Sequence, residues 1–442
     1  MAIIRPFRGI QYNQEKVPAP NPVVTPPYDV ITPEEQEGYY QKDEYNIIRL
    51  ILGKIYPTDT ASDNRYTRAA RDFEDWLQKG ILVPDLLPSF YAYKQTYPWK
   101  GKRETRWGFI GLTRLEDFGK GIILPHENTL ASPKLDRLNL LRACKANLCP
   151  IFGLYSDPGK KINALLEEYG ARENPVIQLI NHNEIGHSLW AISEPELINI
   201  ISNEMAEKQL IIADGHHRYE SALEYHRETQ WIRTSPGKDD PSGYIMMYFS
   251  NLDDQGLAVL PIHRVLRSPN GWFDWAGFEE RARQYFSIQP IELNEKNPDE
   301  ILSLLEGLDK GRAGFGMYIG KGKYYLLQLK DTIDPEKVIK EPLPAVWKTL
   351  DVTIFQTILL EMTLQMSIKT LKEQEYIGFT HNMQEAIALV DQGVYHWAFF
   401  LNPTRLQDIK NVCLAGHKMP QKSTFFYPKL LTGLVLYRFS QG

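Results

Sequence analysis

The stretch LIIADGHHRYESAL, residues 210–223, joins an apolar run to a cluster of charged and imidazole side chains. The apolar run is typical of a buried strand, and the residues after Gly215 are typical of a helix. Gly215 permits a tight turn and a close approach of the backbone to a ligand. The free N–H groups and the positive dipole end at the start of a helix attract anions. The stretch therefore predicts a strand, a turn and a helix, with an anion-binding site at the turn.

The side chains of this turn fit that prediction. His216, His217 and Arg218 supply donors that suit phosphate oxygens. Asp214 would repel a bare phosphate, so it indicates either a bound Mg²⁺ that bridges the anions or a contact with a second substrate. From the spacing alone, a surface turn in which Asp214 caps the helix explains the motif equally well. A structural zinc site is not expected, because adjacent histidines point in different directions and no cysteine cluster assists them.

A second polar segment, PHENT at residues 125–129, follows another short apolar run. Its Glu127, next to His126, is a candidate general base for the attack of a hydroxyl on a phosphoryl group. Read alone, a glutamate of this kind is most often a solvated surface residue.

A third segment, MPQKST at residues 419–424, has the composition of a phosphate clamp. Lys422 is followed by two hydroxyl residues, Ser423 and Thr424. The segment lacks the glycine-rich loop of a Walker-type nucleotide site, so that class is not indicated. An ordinary loop with a helix cap at Ser423 or Thr424 is the alternative.

The chain alternates strand and helix patterns, which predicts a mixed α/β protein of the α+β class. We expect three segments: an N-terminal α/β segment at residues 1–120, a core at 121–265 that contains DGHHR, and a C-terminal α/β segment at 266–442. Three details can be checked. Thr32 followed by Pro33 predicts a helix start. Ser132 is expected to cap a helix of residues 132–146, and residues 244–266 are expected to form a hairpin turning at 253–256.

The bulk composition excludes several classes. The formal net charge is −5 with 24% charged and 43% hydrophobic residues, so a nucleic-acid partner is not expected. No run approaches the ~18 apolar residues of a membrane helix, and the charged, proline-broken start MAIIRPFRGI does not resemble a signal peptide. The three cysteines match neither a disulfide framework nor a zinc pattern. A cytoplasmic protein is predicted, and its oligomeric state stays open.

Taken together, the three polar segments carry a resemblance. Over its whole length the chain resembles a bacterial and archaeal family of unknown function, DUF1015, which is marked by RPFRG, PPYDVI, ADGHHRY and MPQKST. The strand with DGHHRY is similar to the nucleotide-phosphate turn of the ParB/sulfiredoxin-like superfamily. PHE, DGHHR and Pro-Lys-Ser/Thr loops in this order resemble the ADP-dependent free-serine kinases, as does VDQGVYHWAFF ahead of the third loop.

The resemblance implies a ParB/sulfiredoxin-like nucleotide-binding core with additional α/β substructure and a ligand cleft between domains. Glu127 would be the base, while Asp214 and His216 would orient the hydroxyl substrate or Mg²⁺, with His126 close to the substrate. The implied phosphate ligands are Gly215, His217, Arg218, Lys422, Ser423 and Thr424. Sulfiredoxin chemistry is excluded, because it needs a cysteine where this chain has His216.

Two functions follow as hypotheses. The first is a phosphotransferase that uses ADP or ATP with Mg²⁺ and acts on the hydroxyl of a small metabolite, serine being the first to test. The second is a nucleotide-gated binding or regulatory protein that binds CTP or ATP without such transfer. The sequence does not decide the donor, the acceptor or the direction of the reaction.

Overall fold

The computed structural model describes residues 2–232, 240–268, 274–292, 300–308, 312–366 and 376–439. Within those ranges the protein is a mixed α/β fold. Across them, no helix combines the length and the apolar character needed to cross a lipid bilayer. All three cysteines are free and buried.

The strands, in chain order, are β1 Ile4–Arg5, β2 Ile10–Tyr12, β3 Leu82–Pro84, β4 Phe90–Trp99, β5 Lys102–Arg114, β6 Ile123–Pro125, β7 Ala146–Asn147, β8 Ile151–Tyr155, β9 Ile177–Ile180, β10 Gly186–Ile192, β11 Leu210–Asp214, β12 Tyr244–Asn251, β13 Ala258–Leu260, β14 His263–Leu266, β15 Phe286–Ile291, β16 Gly314–Tyr318, β17 Tyr324–Leu329, β18 Ile377–Thr380, β19 Trp397–Leu401, β20 Phe425–Tyr427 and β21 Tyr437–Arg438.

The helices are α1 Pro33–Lys42, α2 Ile48–Ile51, α3 Arg65–Gln78, α4 Ala131–Cys144, α5 Lys161–Arg172, α6 Pro195–Ala206, α7 His216–Ile232, α8 Trp275–Tyr285, α9 Glu300–Glu306, α10 Pro335–Val338, α11 Ala345–Lys348, α12 Asp351–Ile354, α13 Met383–Asp391 and α14 Leu406–Leu414. A π-helix, Phe355–Thr363, continues α12. Short 3₁₀ turns occur at Tyr28–Val30, Phe118–Lys120 and Pro241–Gly243.

The chain forms two compact units. Unit 1 comprises residues 1–258 and returns with residues 428–442, and unit 2 comprises residues 259–427. The division differs from the three predicted segments. Strands β4 and β5, from the predicted N-terminal segment, are hydrogen-bonded into the same sheet as β8, β11 and β12 of the predicted core, so no boundary falls near residue 120.

Unit 1 is built on a nine-stranded mixed sheet in the order β6-β11-β8-β12-β5-β4-β10-β9, with β1 paired to β5. The pair β6 and β11 is parallel, and Ile212 lies opposite Pro125. Parallel strands carry their carboxyl ends to the same edge of a sheet. The PHENT and DGHHR segments therefore leave the sheet side by side.

Two local predictions are wrong. The expected hairpin of residues 244–266 does not form, because β12 is enclosed by β5 and β8 in the unit 1 sheet, while β14 pairs with β18 and β19 in unit 2. Ser132 does not cap a helix. Helix α4 begins at Ala131 after Leu130, whose N–H is bound by His217 Nε2 at 3.0 Å, so a tertiary contact replaces the local cap.

Other elements agree with the sequence. Thr32 caps α1 in a full capping box with Glu35, preceding Pro33 at the first helical position. Helix α7 begins directly after Gly215, as predicted, and extends to Ile232. Unit 2 holds an antiparallel six-stranded sheet, β15-β17-β16-β19-β14-β18, which includes a hairpin of β16 and β17.

Candidate functional site

The DGHHR turn lies at the end of β11, in unit 1. Gly215 joins the strand to α7 with a φ of +92°, in the left-handed region that favours glycine. A Cβ there would lie 2.9 Å from Arg218 Cζ and 3.0 Å from Ile151 Cδ1. Both the backbone conformation and the packing of the guanidinium therefore require glycine at this position.

Asp214 is the centre of an ion cluster at this turn. Arg218 Nη2 donates to Asp214 Oδ2 at 2.7 Å, and Lys429 Nζ donates to Asp214 Oδ1 at 2.6 Å. The three side chains are only 11–16% exposed. Burial alone would raise the pKa of Asp214, but Lys429 and Arg218 outweigh it and lower the pKa to about 2. The cluster thus holds two cations on one carboxylate.

Lys429 was not predicted from the sequence. It lies in the C-terminal return to unit 1, and its backbone is held by two strands of the sheet. The fully buried Arg106 on β5 donates from Nη2 to the Pro428 carbonyl at 2.6 Å and also binds Gln95 Oε1. Gln95 on β4 donates to the Lys429 carbonyl at 3.1 Å. Arg106 and Gln95 therefore position the lysine that reaches Asp214.

Asp29, in the PPYDVI segment, is a second residue that the site reasoning missed. Its side chain is exposed to solvent, yet surrounding protein atoms partly desolvate the carboxyl and raise its pKa, helped by the charge of Asp214. Lys429 and Arg218 act in the opposite direction. Asp29 therefore lies within electrostatic range of the ion cluster.

His216 connects the turn to the PHENT loop. Its Nε2 accepts the backbone N–H of His126 at 3.1 Å and of Glu127 at 3.3 Å. Burial, and then the neighbouring His126, lower the pKa of His216 to about 3. An imidazole that accepts through Nε2 must be neutral. In this arrangement His216 holds the backbone of the PHENT loop, and its predicted catalytic role stays a prediction.

His217 holds the same loop farther along. Its Nε2 accepts the Leu130 N–H at 3.0 Å, and burial lowers its pKa. Next to this contact, Thr129 Oγ1 donates to Glu220 Oε2 at 2.7 Å. The predicted role of His217 as a phosphate ligand stays a prediction, because the contact seen here is with the loop backbone.

Glu127 lies at the open end of this loop. Its side chain is 27% exposed, and its Oε1 is 3.6 Å from His126 Nε2. His126 is buried, its Nδ1 is bonded to the Ile212 carbonyl of β11, and its ring lies 4.6 Å from that of His216. The structure thus brings together Glu127, His126 and the DGHHR turn, as the motifs predicted.

The residues of the third segment belong to unit 2. Lys422 is exposed at a φ of +56°, and its carbonyl accepts Arg264 Nη2 at 2.9 Å. Ser423 is buried, its hydroxyl donates to a carbonyl of its own loop, and its carbonyl accepts Thr404 Oγ1 at 2.6 Å. Thr424 is half-buried. Their predicted role as phosphate ligands stays a prediction.

Within the described ranges, no group of three or more His, Cys, Asp and Glu side chains is arranged to hold a metal ion. Both carboxylate oxygens of Asp214 already accept from cations. The Mg²⁺ expected at Asp214 stays a prediction.

Three solved structures match part of this chain at low similarity. A conserved hypothetical protein from Pyrococcus furiosus is 13% identical, with 70% of this chain and 89% of that chain covered and a TM-score of 0.31. A free serine kinase in complex with AMP is 13% identical, with 69% and 83% covered and a TM-score of 0.30. SbnI from Staphylococcus aureus, with a C-terminal truncation, is 11% identical, with 73% and 85% covered and a TM-score of 0.33.

Likeness at this level says nothing of activity. Among curated proteins, no sequence matches this chain. A family model matches residues 4–353, which is most of the chain and includes both PHENT and DGHHR. The chain belongs to the DUF1015 family, whose members are described as proteins of unknown function.

Proposed function

We propose that unit 1 binds the phosphate groups of ADP or ATP at the DGHHR turn and that the protein transfers a phosphoryl group between this nucleotide and the hydroxyl of a small metabolite. The observation that carries the proposal is the convergence of Arg218 and Lys429 on Asp214, directly before the N-terminus of α7. Two cations and a helix N-terminus favour a polyanion there.

The ion cluster also suggests how a phosphate enters. The cavity enclosed by Asp214, Arg218 and Lys429 measures about 10 Å³, which is room for about one water molecule. In this proposal a phosphate displaces Asp214 from one of its two cations, because the cavity itself has no room for a phosphate group. Asp214 would hold both cations in place in the absence of ligand, which lowers the cost of ordering them on binding.

Glu127 supports the transfer step. In this proposal the substrate hydroxyl oxygen attacks the terminal phosphorus of the nucleotide, the new O–P bond forms, and the bond to the bridging oxygen breaks. The shortened nucleotide leaves with the electron pair, and Glu127 takes the hydroxyl proton. The hydrogen bonds from the Glu127 and His126 backbone to His216 support a fixed position for this carboxylate.

Magnesium-bound nucleotide with serine is the first assay. We expect phosphoserine, detected by ³¹P nuclear magnetic resonance, from ADP or ATP and Mg²⁺. Glu127→Gln should reduce turnover by about a hundredfold with little change in nucleotide affinity, whereas Arg218→Met should weaken nucleotide binding itself. Exposed Glu168→Gln is the matched control for the first variant. Absence of transfer to serine and to a panel of small hydroxyl compounds contradicts the kinase proposal.

A nucleotide-gated binding protein is the second candidate. It is favoured by the two histidines that join the turn to residues 126–130, because a ligand that moves the turn would also move this loop. This function predicts nucleotide affinity, CTP included, that survives Glu127→Gln and falls with Arg218→Met, without transfer to any hydroxyl. The same two variants therefore separate the candidates.

A further inference from the structure

The RPFRG segment takes no part in the ion cluster, yet it lines a large cavity of unit 1. The cavity measures about 740 Å³, within the range of ~300–1,000 Å³ that is usual for small-molecule sites. Its other walls come from Lys145 directly after α4, from Tyr225 and Thr229 in the second half of α7, and from Tyr437 on β21. The described residues that line it do not include the DGHHR turn, which begins the opposite end of α7.

Cations exceed anions on these walls. Arg5, Arg8 and Lys145 line the cavity together with one acidic residue, Asp240. The carboxylate of Asp240 already accepts the Ser242 N–H at 3.0 Å and the Ser242 hydroxyl at 2.8 Å. An anionic ligand is therefore the charge type that this cavity favours.

One wall of the cavity is a continuous row of aromatic rings. The ring centroids of Phe7 and Tyr437 are 5.6 Å apart, those of Tyr437 and Phe439 are 5.7 Å apart, and those of Phe439 and Tyr225 are 5.5 Å apart. The last two rings are stacked, with planes 30° apart. Phe7, Tyr437 and Phe439 are buried, so the half-buried Tyr225 is the ring of this row that offers a face to a nucleobase.

The walls are also fixed before any ligand arrives. The Phe7 N–H donates to the Ser89 carbonyl at 3.1 Å, and the Ser89 N–H returns to the Phe7 carbonyl at 2.9 Å. The Phe439 N–H donates to the Lys145 carbonyl at 2.9 Å. The Arg5 guanidinium lies 3.4 Å above the Tyr244 ring. A cavity held in this way costs little ordering on binding.

We propose that this cavity is a second ligand site of unit 1, which binds a nucleoside monophosphate with the base against the aromatic row and the phosphate at the cations. The site is independent of the proposed phosphoryl transfer. Its ligand combines an anion with a planar ring, which is the combination that the walls present.

The test measures binding of AMP, GMP, CMP and UMP to the full chain by isothermal titration calorimetry. The Lys429→Met variant serves as the background, because it weakens the ion cluster at the DGHHR turn and leaves the cavity intact. In this background we expect at least one of the four to bind, and inorganic phosphate to bind about tenfold more weakly because it cannot stack. If none of the four binds, the proposal is overturned.

Two variants locate the site. Lys145→Asn removes a cation at a position with a φ of +49°, a backbone conformation that asparagine tolerates. Tyr225→Leu removes an aromatic ring while keeping apolar volume. Each should weaken binding about tenfold or more. Lys160→Asn is the matched control, because Lys160 also lies at a helix end with a φ of +50° and does not line the cavity. Equal affinity of the Lys145→Asn and Lys160→Asn proteins overturns the cation assignment even if Tyr225→Leu fails to fold.

Photolabelling gives an independent readout. With 8-azido-AMP and the Lys429→Met protein, we expect the labelled peptide to contain Tyr225 or Phe439. Labelling confined to residues 126–130 or 214–218 contradicts a second site and supports a single site at the turn. The outcome is thus separable from success or failure of the proposed phosphoryl transfer.

Discussion

Lys422 and Lys429 are close in sequence but have different surroundings. Lys422 is exposed, and the contact that holds its residue is made by its backbone carbonyl with Arg264. Lys429 is mostly buried, and its ammonium reaches Asp214, which is 215 residues away along the chain. The lysine inside the recognisable motif is therefore less constrained than the lysine outside it. Composition identifies lysines as candidate cations. The strands of the unit 1 sheet determine that Lys429 is the lysine that contacts the DGHHR turn.

The hydroxyl and carboxyl groups of the two regions differ in the same way. Ser423 uses its hydroxyl for a bond within its own loop. Both carboxylate oxygens of Asp214 accept hydrogen bonds, one from Arg218 on α7 and one from Lys429 in the C-terminal return. The Ser423 hydrogen bond stabilises a loop. The Asp214 cluster holds two cations at the end of β11, where a polyanion can bind.

The largest expected effect comes from Asp214→Ala. The change leaves Arg218 and Lys429 as adjacent buried cations, and loss of one partner from a buried ion cluster typically costs about 3–5 kcal/mol. We expect the free energy of urea unfolding to fall by that amount. Asp63→Ala, at a side chain that is 69% exposed, should change it by less than about 0.5 kcal/mol. Similar losses for both variants would contradict the ion cluster.

Lys429→Met and Lys422→Met test the comparison directly. A charged hydrogen bond contributes about 1.5–3 kcal/mol, so Lys429→Met should weaken ADP binding by roughly ten- to a hundredfold. The effect of Lys422→Met should be smaller, because the Lys422 side chain is exposed, whereas that of Lys429 is hydrogen-bonded to Asp214. The measurement is calorimetric titration with ADP. If Lys422→Met loses more ADP affinity than Lys429→Met, the phosphate site lies at the MPQKST motif and not at the DGHHR turn.

His216→Gln should flatten the acid side of the stability profile. An unfolded histidine has a pKa of about 6.5, and the folded pKa is lowered to about 3, first by burial. Between these values the unfolded chain takes up a proton that the folded chain refuses, so stability falls as the pH decreases. His216 contributes about 1.4 kcal/mol per pH unit to the slope of the unfolding free energy against pH. In His216→Gln this contribution to the slope should be absent.

The check is urea unfolding at several pH values between about 6 and about 4. His182→Gln is the control, because His182 is exposed and its replacement should leave the slope unchanged. An unchanged slope in His216→Gln would mean that the imidazole is protonated in the folded protein and does not accept the two N–H groups.

Ser423→Ala has the smallest expected effect. Its hydroxyl already donates to the Pro420 carbonyl, so the loss should be about 1 kcal/mol in unfolding free energy with unchanged ADP affinity. Thermal unfolding and ADP titration of the same protein measure both. A tenfold loss of affinity without loss of stability would show that the hydroxyl serves the ligand instead of the loop.

Local patterns predicted the parts of the fold that short-range interactions control. Thr32 and Glu35 form the capping box that starts α1, and the strand, glycine turn and helix at Gly215 occur as expected. The hairpin of residues 244–266 failed because β12 pairs with strands that are distant in sequence. Alternating apolar residues indicate a strand but do not identify its neighbours.

The same limit applied to the site. The order of the motifs predicted that Glu127 and the DGHHR turn belong to one site. The parallel pairing of β6 and β11 is the physical reason that they lie close together. Asp29 and Lys429 were missed, since PPYDVI was used only as a family marker and FFYPKLL does not resemble a binding motif. Pro428 and Lys429 of FFYPKLL become recognisable as site residues only when the C-terminal residues are known to return to unit 1.

The sequence by itself determined the strand–turn–helix at residues 210–232, because apolar runs, a left-handed glycine and helix-forming residues act within a few positions of one another. The tertiary structure decided which cations surround Asp214 and which backbone groups the two histidines hold. Those choices depend on hydrogen bonds between strands and on burial, which join residues that are far apart along the chain. A buried carboxylate keeps its charge only where such partners are brought to it.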